Sequence, residues 1–237
     1  MGCPLYLAMT AAEFFAGTPL PAHPGWMACH FSPYGQGISN APQRFCEGGM
    51  LILNDRIPVA DHNPDQIAGE LKALTEQLRI QRLLLDLQRP GITHTNRIIE
   101  SILKAVSCPV GVSHHYAVAG YPVFVPLVGI DQPAESYLRK WQGYEIWQEV
   151  TTDHLCLEID ANGCRESQWN GHPTAEHWDE LLQCHYKIHT TADHIEFLLY
   201  RTQSDVARYL SSLSTLGVTC GVGLYQEFHK KKTALQP

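Results

Sequence analysis

Residues 83–90 read LLLDLQRP, three leucines followed by Asp86, Gln88 and Arg89. A leucine-rich run of this length is typical of a strand that is buried on both faces, as strands of parallel sheets are. The polar residues stand where the run ends, and barrel enzymes carry their chemistry at the C-terminal ends of their strands. The stretch therefore predicts a buried parallel strand that delivers polar side chains to a functional edge.

Seven further runs of the same kind are spread along the 237 residues. They are WMACHFS (26–32), MLILND (50–55), PVGVSHH (109–115), VFVPLVG (123–129), EIWQEVT (145–151), IEFLLYR (195–201) and CGVGLYQEF (220–228). Helical patterns separate most of them, at residues 63–79, 93–106, 133–141 and 204–218. Eight buried strands with helices between them predict a closed (β/α)8 barrel of the TIM type, in one domain spanning residues 1–237. PLYLAM (4–9) is a candidate strand outside this count.

Two regions make the predicted barrel irregular. YAVAGYP (116–122) is too short for the usual crossover between parallel strands, so we expect missing helices. Residues 152–193 hold more than one connection needs, including a hairpin turn at Asn162-Gly163 and a helical pattern, TAEHWDELLQC (174–184). They predict a small α+β insertion after strand six.

Composition excludes several classes of protein. The formal net charge is −7, and the one basic cluster, residues 230–232, is typical of a solvated chain end, so nucleic acid is not an expected partner. No apolar stretch reaches the length of a membrane span, and the first residues lack a signal-peptide pattern. The eight cysteines are scattered without a C-x-x-C pair, which favours reduced thiols in a cytoplasmic protein. The sequence does not indicate an oligomeric state.

The ends of two strands carry the main candidate site residues. Strand alternation places Leu84, Asp86 and Gln88 on one face. It likewise predicts that Gly221, Gly223, Tyr225 and Glu227 share a face of the last strand. Both faces become polar at the same end, which predicts a common cleft. Further rim candidates, at the ends of the other predicted strands, are His30, Asp55, His114, His115, Glu149 and Arg201.

A carboxylate in a barrel mouth is costly unless it is paired, so we expect Asp86 to have a donor such as Arg89 or Arg201. A purely structural hydrogen-bond network would account for the same residues. Carbohydrate is the favoured ligand because aromatic rings accompany the rim, although core packing would explain them equally well. These aromatic residues are Trp26, Tyr34, Tyr116, Trp147 and Tyr225.

QRLLLDLQ (81–88) resembles the strand of chitinase-type glycoside hydrolases that carries the motif D-x-x-D-x-D-x-E. Asp86 matches the penultimate acid, whereas Gln88 stands in the place of the proton-donating Glu, and Gln81 and Leu84 replace the two earlier acids. The resemblance implies that Asp86 orients the N-acetyl group of an amino sugar, the group that itself attacks the anomeric carbon.

A second resemblance covers nearly the whole chain. The stretches HFSPYGQGISN, ILNDR, LLLDLQRPG, CPVGVSHHYA, EIWQEV and GVGLYQE are similar to segments of a family of uncharacterised proteins from anaerobic bacteria. This likeness implies a fold and no known activity.

Three functions follow as alternatives. The first is hydrolysis of an amino-sugar glycan, with Asp86 orienting the substrate and Glu227 as acid/base, because the Gln88 amide cannot donate the required proton. The second is a catalytically silent barrel that binds a glycan at the same rim, through Gln88, Arg89 and the other rim side chains. The third is a metal-dependent hydrolase, which is disfavoured because Ala28 stands where such barrels carry H-x-H. Its ligands would come from His30, Asp55, Asp86 and either His114 or His115.

No cofactor is predicted. A G-x-G-x-x-G motif does not follow any candidate strand, and GVG (221–223) lies within the last strand with no helix expected after it. The expected partner is a small molecule or a glycan.

Overall fold

The computed structural model describes residues 3–33, 37–39, 47–58, 61–89, 93–152, 154–169 and 175–229. Its strands, in chain order, are β1 (Leu5–Thr10), β2 (Pro24–Phe31), β3 (Ile38–Ser39), β4 (Met50–Asn54), β5 (Arg82–Asp86), β6 (Val110–Ser113), β7 (Val123–Val125), β8 (Ile146–Glu149), β9 (His154–Asp160), β10 (Gly163–Glu166), β11 (His177–Asp179), β12 (Cys184–Thr190), β13 (Ile195–Tyr200) and β14 (Val218–Leu224). The helices are α1 (Ala11–Phe15), α2 (Pro64–Gln77), α3 (Thr93–Ala105), α4 (Ala134–Leu138), α5 (Gln203–Leu213) and α6 (Tyr225–His229).

Eight parallel strands close into a barrel, as predicted. Their order is β1-β14-β8-β7-β6-β5-β4-β2, and pairing of β1 with β2 completes the circle. β3 adds one antiparallel strand to the edge of β2. Between β6 and β7, residues 114–122 form a single 3-10 turn and no α-helix, so the predicted missing helix is confirmed there.

The barrel interior is filled by side chains that alternate along each strand. The buried interior residues are Tyr6, Ala8, Met50, Ile52, Leu84, Phe124, Trp147, Cys220 and Val222. Trp147 is fully buried. A Cβ added at position 111 would stand only 2.2 Å from the nearest atom of the Trp147 ring. Position 111 must therefore be a glycine to leave room for the Trp147 ring from β8. Side chains of this kind fill the barrel interior as a packed core.

The helices seal the outside of the barrel through caps and apolar stripes that the sequence encodes locally. The Asn63 side chain accepts the N–H groups of residues 65 and 66 at the start of α2, and Ile67 and Leu71 are fully buried beneath that helix. Thr202 forms a capping box with Asp205 at the start of α5. Gly217 adopts φ 92° where the predicted fourth helix ends, as a C-terminal glycine does.

The first and seventh strands of the barrel differ from the prediction. PLYLAM forms β1, which is one of the eight strands of the barrel, and its central residues are buried on both faces. IEFLLYR supplies β13, which pairs antiparallel with β9 and β12 and lies outside the barrel. Its buried and less buried residues alternate over much of its length, which fits a sheet that has one covered face. EIWQEVT is consequently the seventh strand of the barrel, and LLLDLQ the fourth.

The insertion follows β8 and forms a five-stranded antiparallel sheet in the order β10-β9-β13-β12-β11, extending to Tyr200. The predicted hairpin is confirmed, because β9 and β10 pair around residues 161 and 162. The predicted helix at 174–184 is wrong over its described residues. The Asp179 carboxylate accepts the N–H groups of Leu181 and Leu182, and Gln183 adopts φ 53°, so the chain turns and enters β12.

The N-terminal end of the barrel is closed by charge and aromatic contacts. The Arg82 guanidinium lies 5.1 Å from the centre of the Trp147 ring and pairs with Glu145 at 3.5 Å. A cleft of about 390 Å³ lies beside it, lined in part by Cys108, Tyr121 and Glu145. These features lie at the strand starts, opposite to the end that carries Asp86. Among the described residues, no helix is long and apolar enough to cross a membrane.

Candidate functional site at the C-terminal mouth of the barrel

Three polar side chains stand in a row where β2, β4 and β5 end. His30 is the register partner of Asn54, and Asn54 is the partner of Asp86. Because Ile52 and Leu84 precede them by two residues and face the barrel interior, Asn54 and Asp86 face the mouth. Asn54 was not among the predicted site residues, although the same alternation along MLILND indicates it.

Asp86 lies at the centre of this row and is held by the side chain two residues later. The Gln88 amide Nε2 donates a hydrogen bond to Asp86 Oδ1. Burial raises the pKa of the Asp86 carboxyl, the Gln88 hydrogen bond opposes this rise, and the nearby charge of Asp55 adds to it. The expected pairing with Arg89 or Arg201 is wrong, since the donor is the Gln88 amide.

Glu149 brings a second carboxylate to the mouth from the other side of the barrel. It ends β8, two residues above the interior Trp147, and its Oε2 accepts the N–H of Leu127 at 3.0 Å. Burial raises the pKa of Glu149, the Leu127 N–H opposes the rise, and the negative charges of Asp86 and Glu227 add to it. The charges of Asp86 and Glu227 therefore act on Glu149, and these three carboxylates are called the acidic group below.

Asp55 and Arg89 form the scaffold behind this group. Asp55 is buried, and its Oδ2 accepts the backbone N–H of Arg89 at 2.9 Å. The Arg89 carbonyl accepts the Tyr116 hydroxyl, and the Arg89 guanidinium lies 3.4 Å from the carbonyl oxygen of Arg56. These bonds fix the loop that carries Gln88, so Asp55 acts on the site by holding its backbone.

The polar residues after the last strand form a helix and not the strand end that was predicted. β14 ends at Leu224, and Tyr225 and Glu227 belong to the short helix α6. A Cβ on Gly221 would contact Leu210 of α5, and one on Gly223 would contact Phe228, so both glycines face outward. The expected face shared by four residues of one strand is therefore wrong, because the chain turns into a helix at its end.

The two α6 residues have different surroundings. Tyr225 is buried, and its hydroxyl donates to the Pro19 carbonyl at 3.0 Å, which places it in the outer packing layer. Glu227 is half-buried, and its backbone carbonyl accepts the Thr152 hydroxyl at 2.9 Å. That bond ties α6 to the start of the insertion and keeps Glu227 within electrostatic range of Glu149.

The side chains of Arg201 and His114 are engaged in packing contacts away from the acidic group. Arg201 is buried, and its Nε and an Nη donate to the carbonyls of Gln183 and Leu182 at 3.0 and 2.6 Å. Its Cζ lies 4.1 Å from the centre of the Tyr209 ring, so it joins the insertion to α5. The His114 ring packs edge-on against Trp141 at 6.2 Å, and burial with the positive charges of His115 and Lys140 lowers its pKa.

His30 lies beside Asn54 in the row of polar side chains that ends β2, β4 and β5. Burial and the charge of Arg56 lower its pKa, which favours the neutral imidazole. A neutral imidazole offers one donor and one acceptor, which suits a ligand hydroxyl.

The expected aromatic stacking surfaces are wrong for the four rings that the structure describes. Trp26, Tyr116, Trp147 and Tyr225 are exposed by 1%, 6%, 0% and 3%, so no ring face is open to a ligand. Tyr34 lies outside the described residues. Core packing accounts for these rings.

The residues of the metal-dependent alternative do not assemble a ligand set in the described part of the chain. There, a group of three or more side chains with metal-ligand spacing occurs at Glu158, His194 and Glu196, in the insertion. The mouth instead offers carboxylates, amides and one neutral imidazole, which can accept and donate hydrogen bonds to hydroxyl and acetamido groups.

Comparison with known proteins finds likeness in structure alone. No family model matches the sequence, and no curated protein matches it. The class V chitinase from Nicotiana tobaccum is similar with a TM-score of 0.59 and 9% identity, over 95% of this chain and 94% of that chain. A Glu-to-Gln mutant of that chitinase in complex with NAG4 gives 0.57 and 8%, over 95% and 94%. A glycoside hydrolase family 18 N-acetylglucosaminidase from Paenibacillus barengoltzii gives 0.57 and 9%, over 95% and 97%.

At these identities the likeness establishes the fold, a (β/α)8 barrel similar to chitinase-type enzymes. The similarity to a family from anaerobic bacteria stays a prediction.

Proposed function

We propose that this protein binds an amino-sugar-containing glycan at the C-terminal mouth of its barrel. The observation that carries the proposal is the Asp86–Gln88 pair, which ends an inward-facing strand face in a barrel similar to chitinases. Asp86 is the acid that the chitinase-type motif retains, and its carboxylate can accept the N–H of an acetamido group. Gln88, whose Nε2 already donates to Asp86, keeps a carbonyl oxygen to accept from a sugar hydroxyl.

In the motif resemblance Gln88 stands in the place of the proton-donating Glu, and this favours binding over standard hydrolysis. An amide does not supply the proton that a leaving glycosidic oxygen needs, and general acid catalysis contributes about 100-fold to 10,000-fold in rate. The tobacco chitinase mutant with Gln in place of a Glu was solved in complex with NAG4, so a barrel of this kind holds a sugar after such an exchange. Gln88 is compatible with the same outcome here.

The binding test is calorimetric titration of the full chain with chitotetraose. We expect saturable binding that Asp86→Ala weakens at least tenfold, because the acetamido acceptor is lost. Glu135→Ala, on an exposed surface of α4, is the matched control and leaves the affinity unchanged. Absence of binding at millimolar sugar, or equal affinity in Asp86→Ala, would contradict the proposal.

A second candidate, hydrolysis by other carboxylates of the mouth, is favoured by one observation. Burial and the charges of Asp86 and Glu227 raise the pKa of Glu149, and a raised carboxyl pKa is what a general acid requires at neutral pH. In this mechanism Asp86 orients the substrate and Glu149, whose pKa is raised, donates the proton to the leaving oxygen as general acid. It predicts turnover of a chromogenic N-acetylhexosaminide that is lost in Glu149→Gln; loss in Glu227→Gln alone would assign the proton transfer to Glu227, as the sequence predicts. Binding without turnover over days rejects hydrolysis and leaves the binding function.

A further inference from the structure

One face of the antiparallel insertion carries a row of charged side chains that the mouth of the barrel does not use. His189 on β12 is the register partner of Glu196 on β13, and Glu196 is the partner of Glu158 on β9. Arg165 on β10 continues the row as the partner of Glu158. Directly opposed residues of neighbouring strands project from the same face, so these four side chains adjoin one another.

Glu196 is the centre of this row and the most buried of its carboxylates, with 3% exposure. His189 Nδ1 lies 3.0 Å from its Oε2, and His194 Nε2, in the turn between β12 and β13, lies 3.7 Å from its Oε1. One ligand atom each of Glu158, His194 and Glu196 lies within 4.8 Å of the others. A carboxylate that is buried this deeply needs a positive partner.

The spacing suits a metal ion bound by nitrogen and oxygen. With bonds of about 2.0–2.1 Å in tetrahedral geometry, neighbouring ligand atoms are about 3.4 Å apart. The distance between His194 Nε2 and Glu196 Oε1 needs to contract by only a few tenths of an ångström to reach this value. Imidazole and carboxylate together are ligands typical of Zn²⁺, whereas Mg²⁺ and Ca²⁺ prefer oxygen alone.

We propose that His194, Glu196 and Glu158 bind one Zn²⁺ ion on the insertion. His189 acts as a positioning residue, because its contact with Glu196 Oε2 leaves Oε1 on the side of His194. Arg165 contacts Glu158 and Asp160 and orients the Glu158 carboxylate in the same way. Hydrogen-bond partners that contact a metal's ligands commonly fix the direction of those ligands. Three protein ligands leave a fourth position for water or another small ligand.

The site is separate from the proposed glycan site. It lies on the insertion, whereas Asp86, Glu149 and Glu227 stand at the mouth of the barrel. Loss of zinc binding therefore leaves glycan binding in place, and the two proposals fail independently.

The test is a calorimetric titration of chelator-treated full-length protein with zinc chloride, together with metal analysis after dialysis. We expect one zinc per chain. His194→Gln removes a ligand from the turn and weakens binding more than tenfold. His189→Gln weakens it about 10-fold to 100-fold, because Glu196 loses the imidazole that orients its carboxylate. Thermal melts of the metal-free variants establish that they are folded.

His177→Gln is the matched control, since His177 is an exposed histidine of the same sheet, stacked on Tyr186 outside the row. It leaves the zinc affinity unchanged. The inference is overturned if equimolar zinc is not retained by the wild-type protein, or if His194→Gln binds zinc as tightly as the wild type.

Discussion

Gly111→Ala tests the packing beneath the candidate site. A Cβ at this position would stand 2.2, 2.4 and 2.9 Å from Cε3, Cζ3 and Cδ2 of the Trp147 ring, far inside van der Waals contact. Trp147 is fully buried, so the ring has no free space into which it can move. Overpacking of a filled core costs about 1–3 kcal/mol, and the depth of this overlap favours the upper end. For a chain of this size each kcal/mol lowers Tm by about 2–4 °C, so the expected drop is about 6–12 °C.

The assay is thermal unfolding followed by near-ultraviolet circular dichroism, which reports on the indole environment. Gly69→Ala is the matched control, because it is the same substitution on an exposed position of α2 with no atom within 4 Å of the new Cβ. There, relief of the glycine penalty in a helix stabilises the protein by about 0.5–1 kcal/mol, so the two variants shift Tm in opposite directions. An unchanged Tm in Gly111→Ala would refute the interior placement of Trp147 and with it the position of Glu149 above that ring.

Three further predictions concern charge, anchoring and thiol reactivity. Because folding raises the pKa of Glu149, the stability of the wild type decreases as the pH rises through that raised pKa. Glu149→Gln is therefore more stable than the wild type at pH 7 in denaturant titrations. The difference disappears at pH values below the ordinary carboxyl pKa. Arg201→Met removes two charged hydrogen bonds and lowers the free energy of unfolding by about 2–4 kcal/mol in the same assay. The control Arg208→Met, at an exposed residue of α5, changes it by no more than about 0.5 kcal/mol. Equal effects would contradict the anchoring role of Arg201. Burial raises the pKa of Cys29 to about 12, so this thiol reacts with a disulfide reagent only after unfolding, while the exposed Cys164 reacts at once and its fast phase is lost in Cys164→Ser.

The candidate site was predictable from the sequence to the extent that single strands determine it. Asp86 ends a strand whose leucines are buried, and Gln88 follows two residues later, so the alternation of the strand directs Asp86 toward the mouth and Gln88 bonds to it there. The predicted arginine donor to Asp86 is wrong because the Gln88 amide takes that place. Arg201 was assigned to the rim because its strand was counted in the barrel, whereas β13 pairs outside it.

Local patterns predict that Asp86, Glu149 and Glu227 each lie near a strand end, but they do not show which of these charges act on one another. The three residues are far apart in the chain, and only closure of the barrel brings the ends of β5 and β8 and the start of α6 to one mouth. The outward direction of Gly221 and the buried place of Tyr225 depend likewise on contacts with α5 and the loop near Pro19.

Local sequence is sufficient for the parts of this protein whose causes are local: the doubly buried runs, the caps at Asn63 and Thr202, and the hairpin at residues 161 and 162. Each of these depends on residues within one or two turns of one another. Tertiary contacts decide which run closes the barrel: β1 is buried on both faces, whereas β13, which carries Glu196, pairs with β9 and β12 outside the barrel. Tertiary contacts also decide the surroundings of Asp86 and Glu149, whose pKa values are raised first by burial and then by charges that long-range strand pairing brings near.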